Sequence, residues 1–435
     1  MNARQIALDA LVRVYKSGGY SNIVIDKQLM ASKLEERDKA FASALFYGVL
    51  ERKITLDYCL TPLCSQKLRG LTPPVLAALE LGAYQLFYMP HLPPSAVVNE
   101  SVELVKKAGQ PRAAGLVNGV LRAMLRAGCG VSLPDGPLAL GCSVEYGVTQ
   151  ELASLLLEHY GEARTRTFLE ASCGKAPVYI RVNTLKTSAQ ALCVDLKEEG
   201  VTATAHAAVP DCLQIEGGGD LRRLQAFQKG LFHVQDAASQ LCALCVDAQP
   251  GMRVADVCAA PGGKSFTIAQ YMQDEGELFS FDLHENRVKL IEDGARRLDL
   301  TCVQPRLGDA TRLPEQLEGL DRVLCDVPCS GFGIIRRKPE IRHKTMQEVS
   351  GLPEIQLNIL ESASQLLRPG GLLIYSTCSV NPVENSGVVE QFLARNPEFT
   401  PAELPELAGG GHSLTLLGEG FDSDGFFIAA IRRVD

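Results

Sequence analysis

The chain has 435 residues, of which 46% are hydrophobic, 22% charged and 6% aromatic, with no tryptophan. This length favours two or three domains, and no apolar run approaches the roughly eighteen residues that a membrane-spanning helix needs. The fourteen cysteines are scattered and the first residues lack the apolar segment of a secretion signal, so we expect free thiols in a reducing cytoplasm rather than disulfides.

The net charge of −8 is unevenly distributed along the chain. Residues 1–140 hold 16 basic and 11 acidic residues, so the remainder is strongly acidic. A basic front module is compatible with polyanion binding, although an excess of this size is also typical of an ordinary solvated surface.

The first part of the chain shows helical periodicity. Apolar residues recur at helical spacing at Leu8, Leu11 and Val12 and again along residues 75–86, while Pro and Gly clusters interrupt the pattern. Strand-like alternation is absent. We predict an all-α domain over residues 1–140, closed by a linker at residues 128–141 that is rich in glycine and proline.

Residues 141–230 change character. A helical pattern covers residues 151–170, a short strand follows at 178–182, and a second helix and short strands reach residue 215. This order predicts a small α+β subdomain.

From residue 231 to 435 strands and helices alternate with short turns. We predict strands at 253–258, 278–283, 301–307, 322–326, 371–376 and 426–431, and helices at 265–272, 286–298, 352–367 and 383–396. Alternation of this kind indicates an α/β domain with a mostly parallel sheet, whose ligands bind beyond the carboxyl ends of the strands.

A turn of small residues follows the first of these strands and is the candidate cofactor loop: Cys258, Ala259, Ala260, Pro261, Gly262, Gly263 and Lys264. Its glycines let the backbone approach a ligand beside a helix N-terminus. Asp282 and Asp309 follow the next two strands, where carboxylates can bind a nucleoside. The Gly pair alone is equally typical of a helix-opening turn, and the lack of GxGxxG makes a nicotinamide cofactor less favoured.

Two cysteines follow the fourth and fifth strands. Cys329 lies three residues after Asp326, and Cys378 lies in a Ser-Thr-Cys-Ser run. Neighbouring strand ends would bring both thiols close to Asp326. Asn381 and Pro382 resemble a helix cap, so we expect a helix N-terminus just beyond Cys378 that lowers its pKa.

A thiolate beside a methyl donor has a specific use in pyrimidine chemistry. Its addition to carbon 6 makes carbon 5 nucleophilic, so that carbon 5 can accept a methyl group. The second cysteine could assist the elimination that follows, and Asp326 could hydrogen-bond the pyrimidine edge. Most cysteines at strand ends are packing residues, and the Cys242–Cys245 pair is more typical of a core than of zinc. No metal site is predicted.

A cationic run follows the Cys329 loop. It consists of Arg336, Arg337, Lys338, Arg342 and Lys344. A charged helix start would look the same, but the position beside the proposed chemistry favours contact with RNA phosphates.

These motifs together resemble those of the RNA 5-methylcytosine methyltransferases. The segments are CAAPGGK at 258–264, DVPCSGFG at 326–333 and STCS at 376–379. The resemblance implies a Rossmann-like domain that uses S-adenosylmethionine, bound by residues 258–264 with Asp282, Asp309 and Asp326. It also implies that Cys378 is the nucleophile and that Cys329 releases the product.

Residues 37–48 and 114–122 are similar to antitermination-factor-like RNA-binding domains. Such a domain fused to this catalytic body is the architecture of the bacterial small-subunit rRNA cytosine-967 methyltransferases. It implies action on 16S rRNA, naked or partly assembled, away from any membrane, and we expect a monomer. A tRNA cytosine methyltransferase and a non-catalytic RNA-binding or antitermination factor remain the alternatives.

Overall fold

A computed structural model describes residues 2–17, 21–314, 317–418 and 420–434. The chain forms two compact units, one made of Met1–Lys175 with Ile335–Met346 and the other of Ala176–Ile334 with Gln347–Asp435. The predicted domains at 1–140, 141–230 and 231–435 divide the chain differently. The first unit continues through two further helices and takes in a segment from far along the chain.

The described residues of the first unit contain helices and no strands, as the all-α prediction requires. The apolar stripes predicted from the sequence face the core, where Leu8, Leu11, Leu45 and Val49 are fully buried. The helices are α1 Ala3–Ser17, α2 Ser21–Ala31, α3 Glu36–Leu60, α4 Pro73–Tyr88, α5 Pro94–Lys107, α6 Ala114–Arg126, α7 Leu138–Tyr146 and α8 Gln150–Ala171.

The second unit begins with a small antiparallel sheet of order β2-β3-β1-β4. Its strands are β1 Val178–Val182, β2 Val201–Ala205, β3 Cys212–Gly217 and β4 Phe232–Val234, with helices α9 Ala189–Glu198 and α10 Gln225–Gln228. Ile180, Leu213 and Phe232 of the sheet pack with Leu192 and Leu196 of α9. The predicted α+β segment is confirmed.

A larger sheet of eight strands carries the rest of the second unit. Its strands are β5 Arg253–Asp256, β6 Glu277–Asp282, β7 Val303–Leu307, β8 Leu320–Asp326, β9 Leu367–Thr377, β10 Phe399–Pro401, β11 Ser413–Leu416 and β12 Phe426–Arg433. Its helices are α11 Ala237–Cys245, α12 Gly263–Tyr271, α13 Glu285–Leu298, α14 Met346–Val349, α15 Leu352–Ser364 and α16 Ser386–Arg395.

The strand order β10-β12-β9-β8-β5-β6-β7 places the first strand of this domain in the middle of the sheet. Strands β5 to β9 pair in parallel, and β12 is antiparallel to β9. The chain proceeds from β5 to β6 and β7 on one side and returns to β8 and β9 on the other. A crevice therefore opens at the carboxyl ends of β5 and β8, which is where such sheets bind ligands.

Within the described ranges, no helix combines the length and the apolar composition that a bilayer span needs.

Segment 335–346 is anchored in the helical unit by a buried arginine. Arg342 is fully buried, and its guanidinium donates to the carbonyl oxygen of Tyr146 at 2.9 Å and to both the hydroxyl and carbonyl oxygens of Ser172. The neighbouring His343 ring hydrogen-bonds the Leu50 carbonyl at 2.9 Å. The prediction that Arg342 contacts RNA is therefore wrong for this structure, because the side chain is buried and its two terminal nitrogens donate within the helical unit.

Replacing Arg342 with alanine should destabilise the helical unit. The Tyr146 and Ser172 carbonyls would lose their donor, and a buried unpaired polar group costs about 1–3 kcal/mol. We expect chemical denaturation followed by circular dichroism to show a loss of about 3 kcal/mol in the free energy of unfolding. Lys338→Ala, at an exposed position of the same segment, should stay within about 0.5 kcal/mol of the parent chain. Equal losses in the two variants would contradict this role of Arg342.

Candidate active site

The candidate cofactor loop, residues 258–264, joins β5 to α12 at the carboxyl edge of the sheet. Gly262 has φ of +109°, and a Cβ added there would lie 2.3 Å from the Phe266 ring. Only glycine fits this combination of left-handed backbone and close packing. The chain can make a tight turn here because Gly262 adopts the left-handed backbone conformation and leaves room for Phe266 of α12.

A buried polar cluster supports the start of α12 on the protein side. Nε2 of His233 lies 3.0 Å from the Gln235 side-chain oxygen and 3.2 Å from the Gly263 carbonyl, so this nitrogen carries the proton. Thr267 also donates to Gln235, at 2.7 Å. Burial lowers the pKa of His233 to about 3, which keeps the ring neutral. The sequence pattern gave no signal for His233.

Carboxylates stand at the ends of successive strands, as predicted. Asp282 at the end of β6 is buried, accepts the His284 N–H at 3.1 Å and lies 3.4 Å from the Arg287 guanidinium. Arg287 also donates to the Ala260 carbonyl at 2.8 Å and so joins the cofactor loop to β6. Asp309 after β7 is exposed, and hydrogen bonds from Thr311 lower its pKa.

An ion pair links the cofactor loop to the end of β8. Lys264 Nζ donates to Asp326 Oδ2 at 2.7 Å, while Ser376 of β9 donates to Asp326 Oδ1 at 2.8 Å. Burial by itself would lower the pKa of Lys264, but the charge of Asp326 raises it above the ordinary value. Lys264 is therefore a cation, and three segments of the crevice are held at one carboxylate.

The two predicted cysteines lie together. Cys329 follows β8 and Cys378 follows the neighbouring parallel strand β9, and their sulfur atoms are 3.2 Å apart. Gly333 fixes the approach of the two loops, because its N–H donates to the Cys378 carbonyl at 3.0 Å. A Cβ on Gly333 would lie 2.0 Å from the Gly425 carbonyl oxygen.

The contacts of Cys329 change its acidity. The hydrogen bond with Cys378, together with burial, raises the pKa of Cys329 well above its ordinary value. Cys329 therefore retains its proton at neutral pH.

The predicted helix N-terminus beside Cys378 is wrong. Asn381 does accept the Val383 N–H at 3.2 Å, but α16 begins only at Ser386. The reason is that Glu384 turns inward, with its side chain fully buried, and accepts hydrogen bonds from Ser330 and Ser379. The helix dipole is consequently not adjacent to the thiol.

The predicted RNA-contact run lies in the helical unit, whereas both cysteines lie in the other unit. Its cations differ in exposure: Lys338 is exposed, Arg342 is buried, and the remaining three are half-buried (Arg336, Arg337 and Lys344). Arg336 donates to the Lys175 carbonyl at 2.7 Å.

All fourteen cysteines are free thiols. Within the described residues, no three His, Cys, Asp or Glu side chains form a group that could hold a metal ion.

Three regions of the chain match known families. Residues 243–432 match the 16S rRNA methyltransferase RsmB/F family, residues 1–126 match the NusB family, and residues 151–222 match the ferredoxin-like domain of RsmF/B-like methyltransferases. The probable ribosomal RNA small subunit methyltransferase B of Bacillus subtilis is 34% identical over 99% of both chains. The ribosomal RNA small subunit methyltransferase B of Vibrio cholerae is 36% identical over 92% of this chain and 90% of its own.

The chain belongs to the ribosomal RNA small subunit methyltransferase B family. It is therefore a methyltransferase, and the resemblance inferred from its motifs is confirmed. The matched RsmB/F region contains the cofactor loop, the strand-end carboxylates and both cysteines.

Solved structures agree with this fold. The crystal structure of PH0851 has a TM-score of 0.83 and 25% identity, with 99% of each chain covered. A methyltransferase homolog protein from Pyrococcus horikoshii has a TM-score of 0.60 and 30% identity, covering 69% of this chain and all of its own.

Asp256 adds a titratable group to this methyltransferase domain, directly behind the cofactor loop. It is the last residue of β5, is 1% exposed and accepts a hydrogen bond from Ser265 at 2.7 Å. Burial raises its pKa to about 7, against about 3.9 for an unperturbed carboxyl. The folded chain thus binds a proton here that the unfolded chain releases at lower pH.

Uptake of this proton should make the free energy of unfolding depend on pH. Because the folded-state pKa is the higher one, Asp256 stabilises the fold below about pH 4 and loses this contribution as the pH rises to about 7. Asp256→Asn imitates the protonated acid and should flatten the profile over that interval. Urea denaturation at pH 5 and at pH 7.5 would test this, and parallel profiles for the two chains would contradict it.

Proposed function

We propose that this protein transfers a methyl group from S-adenosylmethionine to carbon 5 of a cytosine in 16S rRNA through a covalent adduct with Cys378. The observation that carries the proposal is the pair of thiols 3.2 Å apart, on loops joined through Asp326 and Lys264 to the cofactor loop. Among the cytosines of 16S rRNA, the architecture favours the one at position 967.

The residues of the crevice suit an adenosyl ligand. The cofactor loop has small side chains, so its main chain can be approached closely, and Gly262 must remain a glycine for this shape. Asp282 and Asp309 offer carboxylates at neighbouring strand ends, where ribose hydroxyls and amino groups can donate to them. When bound, S-adenosylmethionine supplies the methyl group that an activated carbon 5 accepts.

The raised pKa of Cys329 supports the proposed roles of the two cysteines. Cys329 keeps its proton and can donate it toward Cys378, which favours the thiolate form of Cys378. That thiolate adds to carbon 6 of the pyrimidine. Once its sulfur is bonded to carbon, Cys378 carries no charge, so the main cause of the raised pKa of Cys329 is gone. Cys329 can then lose its proton to solvent, accept the proton from carbon 5, and so allow Cys378 to leave.

Asp326 is fixed in place by hydrogen bonds from Lys264 and Ser376. Each carboxylate oxygen still has a lone pair for a further donor. The exocyclic amine of cytosine and the amino group of the methyl donor are both suitable, and we propose that Asp326 binds one of them.

We further propose that the helical unit binds RNA, with Lys338, Arg336, Arg337 and Lys344 as candidate phosphate contacts. The match of residues 1–126 to the NusB family supports this assignment. The protein would act as a monomer in the cytoplasm, on naked or partly assembled small-subunit rRNA. A paired cytosine is poorly accessible, so the target base is expected to be exposed or extruded.

Methyl transfer to 16S rRNA and to tRNA, mapped by bisulfite sequencing, tests the proposal. We expect one 5-methylcytosine in the 16S rRNA. Product in tRNA alone would favour the tRNA alternative, and no product in either RNA would favour the non-catalytic factor.

Cys378→Ala should give no product, because the nucleophile is gone. Cys329→Ala should accumulate a protein–RNA adduct that migrates as a retarded band, because elimination is blocked. Cys193→Ala, at a half-buried thiol of α9, is the matched control and should retain activity.

Binding of S-adenosylmethionine should depend on the shape of the cofactor loop. Gly262→Ala places a methyl group against the Phe266 ring, so we expect titration calorimetry to show an affinity at least about tenfold lower. Gly351→Ala is the control, since a Cβ there meets no atom within 4 Å. Unchanged affinity in Gly262→Ala would place the ligand elsewhere.

A further inference from the structure

Glu384 is a buried carboxylate with an unusual set of partners. Its side chain has no exposed surface, and four donors reach it. Oε2 accepts the Ser330 N–H at 2.7 Å and the Gln356 amide at 3.1 Å. Oε1 accepts the Ser379 hydroxyl at 2.9 Å and the Asn381 amide at 3.1 Å. A buried charge is tolerated only when it is satisfied in this way.

Two of these donors belong to the residues that directly follow the cysteines. Ser330 follows Cys329 and Ser379 follows Cys378, and their hydroxyls also share a hydrogen bond of 2.8 Å. Each oxygen of the carboxylate thus holds one cysteine loop.

Gln356 of α15 extends the same network to the other side of Cys329. Its amide donates to the Pro328 carbonyl at 2.9 Å as well as to Glu384. The main chain is therefore anchored immediately before and immediately after Cys329. On the Cys378 side, Tyr375 of β9 donates to the main-chain carbonyl of Glu384 at 2.6 Å.

We propose that Glu384 is a positioning residue that holds the Cys329 and Cys378 loops in register, so that their sulfur atoms stay within reach of one pyrimidine ring. Glu384 touches no reacting atom and acts through Ser330 and Ser379. This inference rests on the proposed function, because a fixed spacing matters only if both thiols act on the same base. A helix-capping role does not account for the contacts, since α16 begins after Asn385 and the carboxylate faces the cysteine loops.

The charge of Glu384 has a second effect on the pair. The negative charge of Glu384 also raises the pKa of Cys329. Its effect is smaller than those of the hydrogen bond to Cys378, of burial and of the charge of Cys378. The same carboxylate thus fixes the position of Cys329 and helps it to retain its proton.

Glu384→Gln tests the proposal with little change in volume. An amide has one acceptor oxygen, so its NH₂ group must face the donors of one cysteine loop, and that loop is released. A readout that needs no RNA is the rate at which diamide oxidises Cys329 and Cys378 to an intramolecular disulfide, measured by mass spectrometry. We expect this rate to fall about tenfold, and kcat for methyl transfer to fall about a hundredfold, with the KM values for RNA and methyl donor nearly unchanged.

Asp274→Asn is the matched control. Asp274 also joins two segments through its carboxylate, by accepting from Thr301 and Cys302 at 2.7–2.9 Å, but it touches neither cysteine loop. It should lose stability without changing the disulfide rate. If Glu384→Gln does not fold, Ser379→Ala removes one hydrogen bond to the carboxylate and should show the same two effects, each smaller.

Wild-type disulfide and transfer rates in Glu384→Gln would overturn the proposal, and so would equal losses in Asp274→Asn. A further outcome is that disulfide formation is slower in Glu384→Gln while the wild-type protein forms no 5-methylcytosine. The positioning role would stand in that case, and the proposed function would fail.

Discussion

The half-buried ion pair between Lys264 and Asp326 is the contact on which the geometry of the crevice depends. It joins the turn after β5 to the end of β8, across the point where the strand order of the sheet reverses. Withdrawing either charge partly from water without its partner would be costly, so each group stabilises the position of the other. The position of the cofactor loop relative to the Cys329 loop is thereby set by electrostatics as well as by the sheet.

A second layer of polar contacts lies around the thiols. Sulfur is a weak hydrogen-bonding partner, so contact between the two thiols cannot by itself fix the positions of their loops. Stronger groups do this instead, namely the hydroxyls of Ser330 and Ser379 and the carboxylate of Glu384. Because these contacts are buried and mutually satisfied, they restrict the movement of the two loops.

Much of this architecture could be predicted from the sequence. The helical spacing of Leu8 and Leu11 and the alternation of strands and helices after residue 231 reflect local burial patterns, which are readable in one dimension. The cofactor loop and the cysteines could be placed at one edge because parallel strands end on the same side. The spacing of 3.2 Å between the sulfurs could not be predicted, since it depends on donors from three separate segments.

The errors have physical reasons of the same kind. Asn381 and Pro382 have the composition of a helix cap, but tertiary hydrogen bonds from Ser330 and Gln356 draw Glu384 inward, and the helix begins only at Ser386. Arg342 belongs to a cationic run that looks solvated, yet it is buried, and its terminal nitrogens donate to three acceptors inside the helical unit. In both cases the deciding partners are far away in sequence, where periodicity carries no information. His233 was missed for the same reason.

The path of the chain around residues 335–346 limits how such a protein can be divided. The chain leaves the methyltransferase unit directly after the Cys329 loop, contributes twelve residues to the helical unit and then returns. The chain therefore crosses between the two units three times, whereas two domains in simple tandem would need one crossing. Removing residues 1–175 would leave Ile335, Ile341 and Arg342, all buried in the complete chain, without the surfaces that cover them. The helical unit thus contributes to the folding of a segment that directly follows the Cys329 loop in the chain.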